Sequence, residues 1–282
     1  MPERSSRGKP PSDQVAIEAP QTNARFSEHI LRLKREHRLP AGVSVVVEPP
    51  FLVLGDESPE SVQRWASHTV KWAVDRLKRQ FFERDPPDVL EVWLFQDNNS
   101  YQRYNRLLFG TEPTTPFGYY SKRDRALVMN IATGGGTLVH EIVHPYIEEN
   151  FSECPAWFNE GLGSLYEQSA ERDGRIVGLT NWRLAGLQQA IAMQRLPTFQ
   201  ELTSTSNEAF YGADPGTNYA QARYLLYYLQ ERDLLEPYYR TFTANVAVDP
   251  TGYRTLVRVL AERDMLAFQA RWERYVLGLS FP

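Results

Sequence analysis

The run "RALVMNIATGGGTLVHEIVH", residues 125–144, is where the chain changes character. Its first nine residues form an apolar, β-leaning segment of strand length. Three glycines follow, and then Leu138, Ile142 and Val143 recur at helical spacing, with Thr137 as the expected helix cap. Upstream, strand and helix patterns alternate. "AGVSVVVEPPFLVLG" carries β-branched runs broken by a Pro-Pro pair, giving two strands or one interrupted strand, and "SPESVQRWASHTVKWAVDRLKRQFF" opens on a serine cap and continues as a long amphipathic helix. "DVLEVWLFQ" reads as a strand and "NNSYQRYNRLLFG" as a short helix. Downstream of Thr137 nearly everything is helical in pattern, apart from a hairpin expected in "ERDGRIVGLT". The organisation is therefore a tail over 1–24, an α/β half over 25–136 and a helical half over 137–282, together an α+β fold.

The tail, "MPERSSRGKPPSDQVAIEAPQTNA", is rich in proline, serine and charge and is expected to be disordered; ordered structure is expected from Arg25, where Phe26, Ile30 and Leu33 are helically spaced. The chain carries a net charge of −4 and no apolar run of membrane-spanning length. Neither a nucleic-acid partner nor a membrane span is expected, and the composition is that of a soluble protein, cytoplasmic or exported. The single cysteine, Cys154, forbids an intramolecular disulfide and is expected to act as a small buried hydrophobe.

On the helix after the glycines, His140 and His144 stand one turn apart, with Cβ atoms roughly 5–6 Å from each other. Both imidazoles can then converge on one ion at about 2.0–2.1 Å. Glu141 is rotated off that axis, where it can reach a water beside the ion and act as general base. The competing possibility is a pair of core histidines that share a face. Two histidines do not complete a catalytic zinc site, which takes three protein ligands. "PAWFNEGLGSLYE", residues 155–167, supplies Glu160, in the second turn of a helix that Pro155 is expected to open. Gly161 and Gly163 each cost that helix roughly 1 kcal/mol against alanine, which implies close approach of another backbone. Glu148, one turn beyond His144, is expected to support the ligands from outside, and Glu149, Glu153 and Glu167 are weaker candidates. His29, His37 and His68 lie among charges and are expected to take no part.

"HEIVH" followed by "PAWFNEGLGSLYE" resembles the gluzincin branch of the zinc metallopeptidases, and more closely the peptidase MA-like group, over roughly residues 89–245. The resemblance implies a zincin-like catalytic unit with one zinc ion per chain held by His140, His144 and Glu160, with Glu141 as catalytic base. "NYAQARYLLYYLQERDLLEPYYRTF" resembles the gluzincin aminopeptidase helix that opens on a transition-state tyrosine, which assigns that role to Tyr219. Two departures stand out. Thermolysin-type members orient a ligand histidine with an aspartate four residues past the glutamate ligand, where this chain has Ser164; orientation then falls to Ser164 or to another acid. The aminopeptidase strand motif that grips a free amino terminus is absent, so the strand before the glycines is expected to bind extended peptide by edge pairing, through Asn130 and Ala132.

The expected function is a zinc-dependent peptidase acting on a peptide or protein substrate. Its rival is a non-catalytic, metal-stabilised protein that binds a peptide or partner, and a third possibility is a zinc hydrolase of a non-peptide amide.

Overall fold

The computed structural model describes residues 18–212 and 214–281. The tail expected over 1–24 lies outside the described residues as far as residue 17; from Glu18 the chain is helical, in α1 (Glu18–Arg35). The described residues fall into two compact units divided after Val43. In the first, α1 sets Phe26, Ile30 and Leu33 along one face.

The second unit begins with β1 (Ser44–Glu48) and β2 (Phe51–Gly55), an antiparallel pair turning at Pro49-Pro50, so the two-strand alternative holds. Ser58 caps the next helix as expected, its hydroxyl accepting from the Ser61 amide at 3.3 Å. That helix runs through α2 (Pro59–Trp65), a π-helical stretch at Ala66–Lys71 and α3 (Trp72–Gln80). Then come β3 (Leu90–Phe95), α4 (Asn98–Tyr104), β4 (Gly118–Ser121) and β5 (Ala126–Asn130). The five strands form one sheet in the order β1-β2-β3-β5-β4, with β2, β3 and β5 parallel and the outer two antiparallel to their neighbours. Every residue of β2, β3 and β5 is buried, which is why these segments, apart from Glu91 and Asn130, are apolar rather than alternating.

One expectation fails here. β5 is an interior strand, held on one side by β3 and on the other by β4, so it has no edge to offer a peptide. Asn130 donates from its amide nitrogen to the Phe117 carbonyl at 2.9 Å and from Nδ2 to that of Pro116 at 2.9 Å, and Ala132 lies in a short 3-10 turn. The edge belongs to β4, four residues with adjacent tyrosines that carry no period-2 signature.

The helical half consists of α5 (Gly136–Asn150), α6 (Ala156–Leu165), the hairpin β6 (Ser169–Arg172) and β7 (Arg175–Gly178), α7 (Arg183–Ala192), α8 (Phe199–Ser204), α9 (Asn207–Gly212), α10 (Pro215–Gln230), α11 (Leu235–Asn245), α12 (Tyr253–Leu260) and α13 (Met265–Leu277). α5 lies against β4, β5 and α6, and α6 lies in turn against α10. An aromatic cluster fixes the start of α6: Phe158 packs edge-on to Phe242 at 5.8 Å, Trp157 stacks on Phe242 at 6.4 Å, and the Trp157 indole donates to the Thr251 carbonyl at 3.0 Å. The far end is fixed by Arg223 of α10, fully buried, which donates to the carbonyls of Ser164 and Leu165 at 2.9 and 3.4 Å and to that of Leu179. The Ser164 and Leu165 carbonyls close the last turn of α6, where a cation is favoured by the helix dipole.

The close backbone approach implied by the helix glycines is found at Gly161. A Cβ there would stand 3.2 Å from those of Ala222 and Leu226 Cδ1 and 3.3 Å from the Ala222 backbone. Gly186, inside α7, has open space around it. The two glycines should therefore respond oppositely. Gly161→Val should destabilise by about 1–3 kcal/mol through overpacking, whereas Gly186→Ala should stabilise by about 0.5–1 kcal/mol, both read from urea unfolding.

Candidate metal centre

The turn that presents the histidines is shaped by glycine for reasons of contact. Gly134 adopts φ +99°, and a Cβ on Gly136 would sit 2.0 Å from the Glu167 carbonyl oxygen. The start of α5 is thus wedged against the chain leaving α6. The cap position falls on Gly135, leaving Thr137 inside the helix and correcting the expectation that it caps. Pro155 is likewise the cap of α6, one residue before the first helical position expected for it. α5 continues through Pro145 and buries every residue from Leu138 to Ile147, while nine of the ten residues of α6 are buried. His140, Glu141, His144 and Glu160 therefore share the interior with apolar side chains. Buried ionisable groups in such surroundings are costly unless paired or bound to a cation.

His140, His144 and Glu160 come together, with one donor atom from each lying within 4.8 Å of the others. Glu160 Oε2 is 3.1 Å from His140 Nε2 and 4.0 Å from His144 Nε2. Donors at about 2.0–2.2 Å from one tetrahedral ion stand roughly 3.3–3.6 Å apart, a spacing that the observed pair brackets. Each imidazole turns its other nitrogen outward: His144 Nδ1 meets Asn159 Oδ1 at 2.9 Å, and His140 Nδ1 faces Glu167 Oε1 at 3.3 Å without an aligned hydrogen bond. That leaves Nε2 of both rings on the side of Glu160 Oε2, free, among the described residues, of other protein hydrogen bonds that would bar them from a metal ion. Gly163 makes room for it, since a Cβ there would stand 3.0 Å from the His140 ring. The cluster can hold a metal ion, and its donor set of two imidazoles and one carboxylate suits zinc and other first-row divalent ions.

The electrostatics favour a cation. Burial by itself lowers the His140 pKa, but contact with Glu160 and Glu167 and the charge of Glu141 carry it well above the ordinary histidine value. Burial would raise the Glu160 carboxyl, yet His144, His140 and the Tyr211 hydroxyl bring it down to about 2. Glu167 is brought to about 2 in the same way, chiefly by Arg183 and then by His140.

The acid that faces a donor histidine is Glu167, not Ser164. It accepts from Arg183 Nε and Nη2 at 2.9 and 2.7 Å and from Asn181 Nδ2 at 3.0 Å, so its oxygens are fixed before they reach His140. Ser164 does not orient a ligand; its hydroxyl is buried without a partner. Glu148 is not at the centre either, because it pairs with Lys122, Arg125 and the Tyr120 hydroxyl. Glu149 pairs with Arg84, and Cys154 and the other three histidines stand outside the cluster found among the described residues.

Glu141 lies beside the ligands, its Oε2 3.6 Å from His144 Nε2. Tyr219 is near as well: burial first, and then the Glu160 carboxylate, pushes its phenol upward, and its ring packs on Arg183 at 5.2 Å and Phe210 at 5.3 Å. The residue that sequence reasoning missed is Tyr211, whose hydroxyl donates to Glu160 Oε1 at 2.7 Å. The only local mark of it is a tyrosine just ahead of the sequence Gly-Ala-Asp-Pro.

Residues 132–248, which contain all three donors, match the model of a family described as a protein of unknown function, DUF1570. No curated protein matches the chain. Among the described residues no helix is long and apolar enough to cross a membrane.

Replacing Glu167 with glutamine keeps its shape and removes the charge that faces His140. Metal affinity should fall by about 10–100-fold, measured by competition with a chromogenic chelator. An unchanged affinity would leave Glu167 without a part in orienting that ligand.

Proposed function

We propose that the protein is a zinc-dependent hydrolase of the gluzincin type, holding one zinc ion per chain and cleaving peptide bonds. The observation that carries this reading is the position of Glu141. A purely structural metal site needs only its ligands, yet here a further buried acid stands beside a three-donor cluster, on the same helix as two of the donors. Zinc held by His140, His144 and Glu160 would supply Lewis acidity and a nucleophile available near neutral pH.

The chain's own residues would do the rest. Glu141 accepts a proton from the attacking water and hands it to the departing nitrogen, a role that needs a carboxylate close to the ligands and clear of them. Tyr219, with its pKa pushed up by burial and by Glu160, stays protonated and can donate to oxygen as negative charge develops there. Glu167, held by Arg183 and Asn181, keeps the His140 ring from rotating. β4, the edge strand lying against α5, offers an extended peptide free backbone groups to pair with, which supports a peptide as substrate.

The rival, a metal-stabilised binding protein, drew its support from the lost acid at Ser164, and Glu167 removes that support. Glu141→Gln separates the two. The variant should retain the metal of the wild type while hydrolysis of an unstructured protein such as casein falls by at least about 10²-fold, the low end for a general acid–base group. Wild-type hydrolysis should stop with a chelator and return with zinc. A fully active Glu141→Gln variant would sink the mechanism; a wild type that binds zinc and casein without cutting it would favour the rival.

A further inference from the structure

The two oxygens of Glu160 have different surroundings. Oε2 faces both imidazoles, at 3.1 Å from His140 Nε2 and 4.0 Å from that of His144, while Oε1 accepts the Tyr211 hydroxyl at 2.7 Å. A carboxylate with both oxygens available can swing and grip an ion with both. One whose outer oxygen is held by a donor offers the ion a single oxygen. We infer that Tyr211 is a positioning residue that confines Glu160 to one-oxygen ligation, keeping a coordination position open beside the two histidines. The inference rests on the metal-site reading of the cluster and goes beyond it, since the three donors alone do not say how many oxygens Glu160 presents.

The local structure is built to place this phenol. α9 is only six residues long, yet it is tied to both helices that matter. At its start, Asn207 Oδ1 accepts from the Ala156 amide at 3.1 Å, one of the unpaired amides of the first turn of α6, the helix that carries Glu160. Near its end, the Phe210 carbonyl accepts from Asn218 Nδ2 of α10 at 3.0 Å, and the Phe210 ring is fully buried. The adjacent ring of Tyr211 stands edge-on to Phe210 at 5.6 Å and 6.4 Å from Tyr219. Its orientation is set by these aromatic neighbours, although the residue is 48% exposed. Such exposure is more than packing needs, and the hydroxyl is spent on a buried carboxylate rather than on water.

Tyr211→Phe removes only the hydroxyl and leaves the ring contacts. The test is to load wild type and variant with cobalt(II) in place of zinc and compare visible absorption per bound ion, which is strong for four-coordinate cobalt and weaker at higher coordination number. The wild type should show the strong bands, and Tyr211→Phe should lose intensity as Glu160 closes on the ion with its second oxygen. Bands identical in position and intensity in the two proteins would overturn the role given to Tyr211. Failure of the wild type to take up cobalt or zinc would overturn the metal-site reading instead. The two failures are distinct, because the second leaves no bands in either protein. Far-ultraviolet circular dichroism spectra of both proteins without metal should be superimposable, which shows that the two are folded alike and assigns any loss of cobalt bands to the site.

Discussion

An ionised carboxylate taken out of water costs several kcal/mol unless it is compensated, and Glu160 sits on a helix with almost no solvent face. Much of the surrounding structure is compensation for that group. Two imidazoles face one of its oxygens and a phenol donates to the other. The same demand passes outward. His140, drawn toward Glu160, needs an acceptor behind it and finds Glu167; Glu167, itself buried, needs cations and amides and finds Arg183 and Asn181. A run of polar contacts thus reaches from α5 through α6 to the start of α7. Such a network holds only if each member is satisfied, so replacing one member should loosen several.

The parts of this arrangement written in short-range pattern were legible in the sequence. Central strands declared themselves as nearly continuous apolar runs, the β6–β7 hairpin by its Asp-Gly turn, and the two histidines by their one-turn spacing. Glu160 could be named because it lies on the next helix, close along the chain. What escaped was set by contacts between distant segments. β4 is too short for a period and exists because β5 needs a partner. Gly135 became the cap in place of Thr137 because Gly136 must lie against the Glu167 carbonyl, a contact 31 positions away along the chain. Tyr211 is brought to Glu160 by the ties of a six-residue helix, which no spacing in the sequence encodes.

The acid that faces His140 is an instructive intermediate case. The position expected to hold it, four residues past Glu160, is Ser164, and judged by position alone the support for the ligand is lost. Residues four and seven past a given point lie on one face of a helix, so the next place on that face is Glu167. It lies beyond the helix end, where the chain makes one further tight turn and the Glu167 amide bonds the Ser164 carbonyl at 3.3 Å. Moving the acid outward by a turn changes what must hold it. A carboxylate within the helix is fixed by its backbone, whereas one on the turn after it needs an external clamp, and Arg183 and Asn181 fill that need.

The glycines complete the logic, because they decide how near the two helices can come. At Gly163 the missing Cβ leaves space for the His140 ring; at Gly161 it leaves space for α10, and at Gly136 for the chain end of α6. Side chains at these places would push α6 away from α5 on one side or from α10 on the other. Separations of 3.1 and 4.0 Å between donors tolerate little of that displacement if one ion is to reach all three. Helix propensity is sacrificed at each of these points, by roughly 1 kcal/mol at each interior glycine, and what the sacrifice secures is the geometry of the cluster rather than the stability of either helix.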